Sequence, residues 1–166
     1  MKNLILIGGP MGVGKTAACR ELQKILPKNV FLDGDWCWDM KPFTVTGETK
    51  AMVQQNIAFL LNNFLRCSEY ENVIFCWVMH MQEIIDEILA NLDLNGVNVH
   101  AFSLVADEEA LTRRIMGDVQ AGVRSEDVIA RSLAYLPKYA VLNTCKIDTS
   151  EISAAEAAQK IAENIR

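Results

Sequence analysis

Residues 4–16 of this chain read LILIGGPMGVGKT, and this stretch decides the fold. Residues 4–7 are a short continuous apolar run, which is typical of a buried parallel strand. Residues 9–16 match G-x-x-x-x-G-K-[ST], the pattern of a phosphate-binding loop between a strand and a helix. The predicted loop residues are Gly9, Pro10, Met11, Gly12, Val13, Gly14, Lys15 and Thr16.

The residue types of this loop suit a nucleotide phosphate. Glycines let backbone N–H groups turn inward, and the N-terminus of the following helix favours an anion. We expect Lys15 to reach the β- and γ-phosphates and the hydroxyl of Thr16 to bind Mg²⁺. A plain glycine-rich turn is the alternative, but the strand before the loop and the helical spacing after it favour the phosphate site.

Composition and charge point to one globular domain spanning residues 1–166. Hydrophobic residues make up 51% and charged residues 22%, which excludes a disordered chain. The net charge of -5 gives no bulk attraction to nucleic acids or anionic membranes, so neither is expected as a partner. The oligomeric state stays open.

The five cysteines indicate free thiols. They are scattered along the chain, and none forms a C-x-x-C pair. Together with the lack of a secretion signal or a bilayer-length apolar segment, this favours a reducing, cytoplasmic location.

Strand-like and helix-like segments alternate along the chain, which predicts an α/β sheet with helices on both faces. The predicted strands are 4–7, 30–32, 73–79, 97–105 and 146–148. The predicted helices are 16–26, 50–66, 82–92, 107–116, 125–136 and a last one that opens at a Ser153–Glu156 capping box.

Asp33 and Asp35 flank a glycine directly after the second predicted strand. The strand 73–79, where a metal-binding acid is usual, runs into His80 instead. On extended backbone, carboxylates two residues apart point to the same side. We assign Asp33 to the metal and Asp35 to the base that accepts the proton of an attacking hydroxyl, although the two roles could be exchanged. A simple Asp-Gly-Asp turn is the alternative.

Large aromatic residues follow the acid pair at once, in DGDWCWDMKPF. Trp36 and Trp38 are candidates for the wall of an organic substrate site, and packing in the core is the equal alternative. His80, at the predicted ligand end of its strand, is a further candidate for substrate contact. We place the acceptor-binding segment at about residues 36–66.

Four arginines cluster in an otherwise acidic chain, and three of them, Arg114, Arg124 and Arg131, are candidates for a catalytic clamp on phosphoryl groups. The stretch 117–124 contains two glycines and could close over the site as a short lid. A solvated helix face is the alternative.

These motifs together resemble the small P-loop kinases: nucleoside monophosphate kinases, shikimate kinase, gluconate kinase and chloramphenicol phosphotransferase. The resemblance covers nearly the whole chain and rests on GPMGVGKT, FLDGDWCW, EEALTRRI, VRSEDVIARSLAY and KIDTS, in that order. It implies a three-layer P-loop sandwich with a five-stranded parallel sheet in order 2-3-1-4-5. It also implies ATP and Mg²⁺ as cosubstrates, with Arg114, Arg124 and Arg131 near the phosphates or the base.

The expected function is therefore transfer of the γ-phosphoryl group of ATP to a small molecule. A hydroxyl-bearing metabolite or antibiotic and a nucleotide or nucleoside are ranked level as acceptors. No N-K-x-D guanine signature occurs, which disfavours a GTPase. The alternative function is a nucleotide-dependent switch or binding module with little catalysis.

Overall fold

The apolar runs of the sequence form five parallel strands in the computed structural model, which describes residues 1–165. The strands are Lys2–Gly8 (β1), Asn29–Asp33 (β2), Asn72–Cys76 (β3), Val97–Val105 (β4) and Cys145–Asp148 (β5). The sheet order is β2-β3-β1-β4-β5, so the predicted P-loop sandwich is confirmed.

Helices cover both faces of this sheet. They are Lys15–Ile25 (α1), Gly47–Arg66 (α2), Gln82–Ala90 (α3), Glu108–Gln120 (α4), Asp127–Tyr135 (α5) and Ala154–Ile165 (α6). Two short 3-10 helices, Gly34–Trp38 and Leu136–Val141, complete the chain.

The core lies in two layers because successive side chains of β1 point to opposite faces. Ile5 and Ile7 pack against α1, α4, α5 and α6, and we call this buried cluster the first layer. Leu4 and Leu6 pack against α2, α3 and the second 3-10 helix, which form the second layer.

The register brings the ligand ends of three strands together. Ile7 of β1 pairs with Cys76 of β3, and Cys76 pairs with Asp33 of β2. The phosphate-binding loop, Asp33 and the segment after β3 therefore meet at one edge of the sheet, where parallel α/β proteins bind ligands.

Two predicted helix starts are confirmed by their caps. The carboxylate of Asp107 accepts a 2.7 Å hydrogen bond from the backbone N–H of Ala110. The Ser153 hydroxyl accepts from the Glu156 backbone, while the Glu156 carboxylate accepts from the Ser153 N–H at 2.8 Å. Both arrangements satisfy N–H groups that the first helical turn leaves unpaired.

The predicted strand 73–79 and the predicted lid 117–124 differ from the structure. β3 ends at Cys76, and the chain turns sharply at Met79, whose φ is 39°. Residues 117–120 are helical, since α4 continues to Gln120. Val119, in this last turn, packs against the first layer. The loop between α4 and α5 is therefore shorter than predicted.

Across residues 1–165, no helix combines the length and apolar character needed to cross a membrane.

Candidate functional site

The loop between β1 and α1 needs its glycines for two different reasons. Gly12 has φ 82°, and a Cβ on it would lie 2.4 Å from Cγ1 of Ile115 on α4. Gly14 has φ 101° at the start of α1, and a Cβ there would meet nothing within 4 Å. The first glycine thus lets α4 pack closely under the loop, and the second leaves open space at the N-terminus of α1.

The ammonium of Lys15 lies over the loop itself. Its Nζ donates hydrogen bonds to the backbone oxygens of Gly9, at 2.9 Å, and Pro10, at 3.0 Å. Burial lowers the pKa of Lys15, while the nearby charges of Asp35 and Asp33 act in the opposite direction. Lys15 is thus a half-buried cation that faces the acid pair across the loop.

The two predicted acids are joined by one short turn. Asp33 is buried at the end of β2, and its Oδ2 accepts a 2.8 Å hydrogen bond from the Thr16 hydroxyl. Its Oδ1 accepts a 3.0 Å hydrogen bond from the backbone N–H of Asp35. The prediction of extended backbone across the pair is wrong, because Asp33 caps the 3-10 helix that contains Asp35. The turn nevertheless keeps both acids beside the loop.

The carboxyl of Asp35 has a raised pKa. Partial desolvation is the main cause, and the neighbouring Asp33 carboxylate adds to it. Lys15, hydrogen bonding from the Trp77 indole and Arg124 oppose the shift. A carboxylate whose proton affinity is raised in this way is suited to accept a proton.

Trp77 also explains the glycine between the two acids. A Cβ on Gly34 would lie 2.6 Å from Cγ of Trp77. The indole therefore packs directly against the backbone of the turn that holds Asp35. Sequence reasoning missed Trp77 because it lies inside the apolar run of the predicted strand.

The structure separates Trp36 from Trp38. The Trp36 ring packs edge-on against Phe31 at 5.3 Å, with the Arg20 guanidinium 5.5 Å from its centre. This places Trp36 beside α1. Trp38 packs instead against the second layer, on the opposite face of the sheet, with Phe43 at 5.5 Å.

His80 belongs to an aromatic pair after β3. Its ring stacks on Tyr135 with centres 4.2 Å apart and planes 3° apart. Burial lowers the pKa of His80, and the nearby Lys138 ammonium adds to this effect. The backbone beside it is tied to the phosphate loop, since Val78 O accepts from the Gly9 N–H at 3.3 Å and from the Tyr139 hydroxyl at 2.6 Å.

A cavity of about 280 Å³ lies on the other side of the phosphate loop. Arg114 of α4 forms one wall and donates to Thr149 Oγ1 at 3.0 Å and to the Thr149 backbone oxygen. Small residues of α1 and α6 form much of the rest. A larger cavity, about 450 Å³, lies near Met1 and Gly96 at the amino ends of β1 and β4, away from this site.

The other two candidate arginines lie in different surroundings. Arg124, in the α4–α5 loop, forms a 2.8 Å ion pair with Asp118. Its charge adds to the lowering of the Lys15 pKa and slightly opposes the raised pKa of Asp35. Arg131 is exposed and pairs with Asp127 one helical turn earlier, at 3.1 Å. Arg124 therefore acts electrically on the site, whereas no contact joins Arg131 to it.

A residue of α5 also contacts the phosphate loop, and the sequence did not predict it. The buried Ser132 donates a 2.6 Å hydrogen bond to the backbone oxygen of Met11. A serine inside a helical segment carries no signal of such a long-range contact.

The donor set around Thr16 fits Mg²⁺. A hydroxyl and a carboxylate lie 2.8 Å apart, and hard oxygen ligands are what Mg²⁺ prefers. Among residues 1–165, no three His, Cys, Asp or Glu side chains cluster as a metal site of their own. Magnesium sites of this kind usually combine one or two protein ligands with phosphate oxygens and waters.

Two thiols beneath the loop, Cys19 and Cys76, are fully buried. Burial and the neighbouring Cys76 raise the pKa of the Cys19 thiol well above its usual value. A thiol held in its protonated form is a poor nucleophile.

The sequence model of the family described as AAA domain matches residues 5–131. No curated protein matches the chain.

Several solved structures have a similar fold. The tunicamycin resistance protein of Deinococcus radiodurans superposes with a TM-score of 0.72 at 18% identity, covering 99% of this chain and 96% of that one. A gluconokinase from Sinorhizobium meliloti gives 0.65 at 18% identity, covering 98% and 95%. A shikimate kinase from Acinetobacter baumannii, in complex with shikimate, gives 0.63 at 22% identity, covering 99% and 93%.

Proposed function

Because the chain belongs to the AAA domain family and has the fold of the small P-loop kinases, we propose that it is a phosphotransferase. It uses ATP and Mg²⁺ and transfers the γ-phosphoryl group to a hydroxyl of a small molecule. One observation carries the proposal: Thr16, Asp33 and Asp35 form a hydrogen-bonded chain beside Lys15.

The nucleotide lies along the phosphate loop. Its base occupies the cavity beside Arg114 and Thr149, whose small apolar lining suits a flat ring. From there the phosphates follow the open space at Gly14 towards Lys15. The N–H groups at the start of α1 and the Lys15 ammonium stabilise the phosphate charge.

The Thr16 hydroxyl would hold Mg²⁺, and Asp33 orients that hydroxyl by accepting its 2.8 Å hydrogen bond. When bound, the ion neutralises charge on the phosphate oxygens. The second Asp33 oxygen holds the backbone of Asp35 in place. Asp33 thus supports both the metal-binding hydroxyl and the residue that orients the acceptor.

Asp35 orients the acceptor hydroxyl and takes its proton. The acceptor oxygen forms a bond to the γ-phosphorus, the bond from phosphorus to the β,γ-bridging oxygen breaks, and ADP leaves. A loose phosphoryl transition state needs positioning and charge stabilisation more than covalent help. Trp77 supports the position of Asp35 by packing on Gly34.

The short α4–α5 loop, residues 121–126, is the lid in this proposal. Arg124 lies in this loop and is paired with Asp118. On closure it would leave Asp118 and contact the transferring phosphoryl group. Arg131, in its exposed pair with Asp127, would need the same movement to take part. Trp36 is left outside the acceptor site because it packs against Arg20 and Phe31 on the α1 side.

The direct test is ADP formation by the purified protein, with ATP and Mg²⁺, in the presence and absence of a pool of small metabolites. A phosphotransferase forms ADP much faster when the pool contains its acceptor. Tight ATP binding without any acceptor stimulation would instead identify a switch or binding module.

A further inference from the structure

Two buried polar atoms have no hydrogen-bond partner within residues 1–165. Both belong to the segments that follow β2 and β3, which we call the acceptor side of the site. They are Nε1 of Trp38 and Nδ1 of His80. A buried polar group without a partner is destabilising, so proteins seldom leave one without a reason. An indole N–H can only donate, so its missing partner is an acceptor oxygen or nitrogen.

Both unpartnered atoms belong to flat aromatic surfaces. Trp38 lies beside Phe43, and His80 stacks on Tyr135. Trp38, Trp77 and Tyr135 all pack against the second layer, and Trp77 also interacts with the Asp35 carboxyl. Aromatic faces next to a few polar atoms are typical of sites that bind a ring carrying oxygen substituents.

Charge on this side disfavours an anion. Within the segment 36–66 the cationic side chains are Lys41, Lys50 and Arg66, and all three are exposed. The acids Asp33 and Asp35 face the proposed acceptor position. Carboxylates and phosphate groups are usually bound by forked arginines.

The remaining cations near the site have other partners. The Lys138 ammonium lies over the Tyr135 ring at 5.1 Å. Arg124 pairs with Asp118, and Lys15 binds the phosphate loop. No pair of arginines is available on the acceptor side of the described chain to bind an anionic acceptor.

We infer that the acceptor is an uncharged ring compound with several hydroxyls, of the sugar or nucleoside type, and that Trp38 and His80 bind its oxygen atoms. The inference rests on the proposed function and specifies its substrate class. The Trp38 indole N–H donates to one substituent, and His80 contacts another. The ring lies against the aromatic surface, with one hydroxyl directed at Asp35.

Matched pairs of compounds test the charge preference on the unaltered protein. Each pair keeps the same ring and differs mainly in one carboxylate charge: glucose and glucuronate, methyl shikimate and shikimate, uridine and uridine 5'-carboxylate. Binding is measured by saturation-transfer NMR with a non-hydrolysable ATP analogue and Mg²⁺, and turnover by ADP formation. We expect at least one neutral compound to bind, and each neutral member that binds to do so at least tenfold more tightly than its charged partner.

Two matched variants test the hydrogen bond from the Trp38 indole to the acceptor. Trp38→Phe keeps an aromatic ring but removes the N–H, and it should weaken binding of the neutral compound several-fold. Trp36→Phe makes the same change on the opposite face of the sheet and should leave binding unchanged. ATP affinity should be the same in both variants, since neither residue lies beside the base cavity.

The outcomes separate this inference from the proposed function. Tighter binding of a charged partner, or no binding of any neutral compound, overturns the inference. So does a Trp38→Phe variant that folds normally and binds the neutral compound as well as the original chain. Neutral binding without phosphoryl transfer would keep the inferred ligand class and refute the phosphotransferase.

Discussion

The Thr16 hydroxyl donates a 2.8 Å hydrogen bond to Oδ2 of Asp33, which joins the start of α1 to the end of β2. The other oxygen of the same carboxylate accepts from the Asp35 N–H. One buried side chain therefore couples the metal-binding hydroxyl to the proposed base.

Replacing Asp33 by Asn should raise the Mg²⁺ requirement. The amide keeps the size but has only one acceptor oxygen for two donors, so Thr16 loses its fixed orientation. Removing such a supporting group typically lowers metal affinity about 10–100-fold. The measurement is the Mg²⁺ concentration that gives half-maximal ADP formation. Asp93→Asn, an exposed change at the opposite end of the sheet, is the control and should leave that concentration unchanged.

Replacing Asp35 by Asn should lower the rate without weakening ATP binding. A general base contributes about 10²–10⁴-fold to a rate, so kcat with acceptor should fall by that order. The ATP dissociation constant, measured by calorimetry, should change little. If extra Mg²⁺ restores Asp35→Asn and not Asp33→Asn, the two roles are exchanged. If neither variant changes the rate, the acid pair is only a turn.

Asp35 also sets a pH dependence of opposite sign for activity and stability. Its raised pKa means that activity falls as the pH drops through that value, because the carboxyl is then protonated. Stability changes the other way: between the ordinary and the raised pKa the folded chain binds more protons than the unfolded one, so the unfolding free energy falls as the pH rises. Asp35→Asn should therefore melt at a slightly higher temperature than the original chain at pH 7, and equal or lower melting would contradict this.

The sequence predicted the parts of the fold that depend on local patterns. Apolar runs, caps and the glycine-rich loop gave all five strands and six helices, because each has a periodicity or a capping residue of its own. The end of β3 was missed, because Trp77 and Met79 are apolar and a strand pattern cannot reveal a positive φ. The helical state of residues 117–120 was missed because Gly117 favours a loop by sequence, although it lies inside α4.

The sequence predicted which polar residues lie near the phosphate loop, but not how they contact one another. The sequence placed Thr16, Asp33 and Asp35 at the same edge, and the structure shows a 3-10 turn between the acids. It could not separate Trp36 from Trp38, because that turn sends side chains two residues apart to opposite faces. Ser132 was missed because its partner, Met11, is 121 residues away in the chain.

Replacing Arg114 by Ala should weaken ATP binding. The guanidinium joins Thr149 to the loop at the base cavity, and hydrogen bonds from a charged group contribute about 1.5–3 kcal/mol. We expect the KM for ATP to rise about 10-fold or more. Arg113→Ala is the matched control. Arg113 is the preceding residue on α4, and its exposed guanidinium makes only a long ion pair, 4.0 Å from Nη1 to Oε1 of Glu109. Equal effects of the two variants would show that Arg114 has no special position.

Replacing Gly12 by Ala should destabilise the fold as well as the loop. The new Cβ would lie 2.4 Å from Cγ1 of Ile115 and would sit at φ 82°. Forcing extra volume into a packed site costs about 1–3 kcal/mol. Gly117→Ala on α4 meets nothing within 4 Å and should stabilise by about 0.5–1 kcal/mol. Urea denaturation measures both, and a Gly12→Ala variant as stable as the original would contradict the close packing of loop and α4.

The most direct measurement of the central claim follows the phosphoryl group itself. With ATP labelled at the γ-phosphate and a pool of small metabolites, the chain should produce a new labelled compound and ADP in equal amounts. Lys15→Ala should abolish this transfer, whereas Lys24→Ala, which removes an exposed lysine paired with Glu21 on the same helix, should leave it intact. Label released only as free phosphate, or transfer that survives in Lys15→Ala at a near-normal rate, would contradict a phosphotransferase built on this loop.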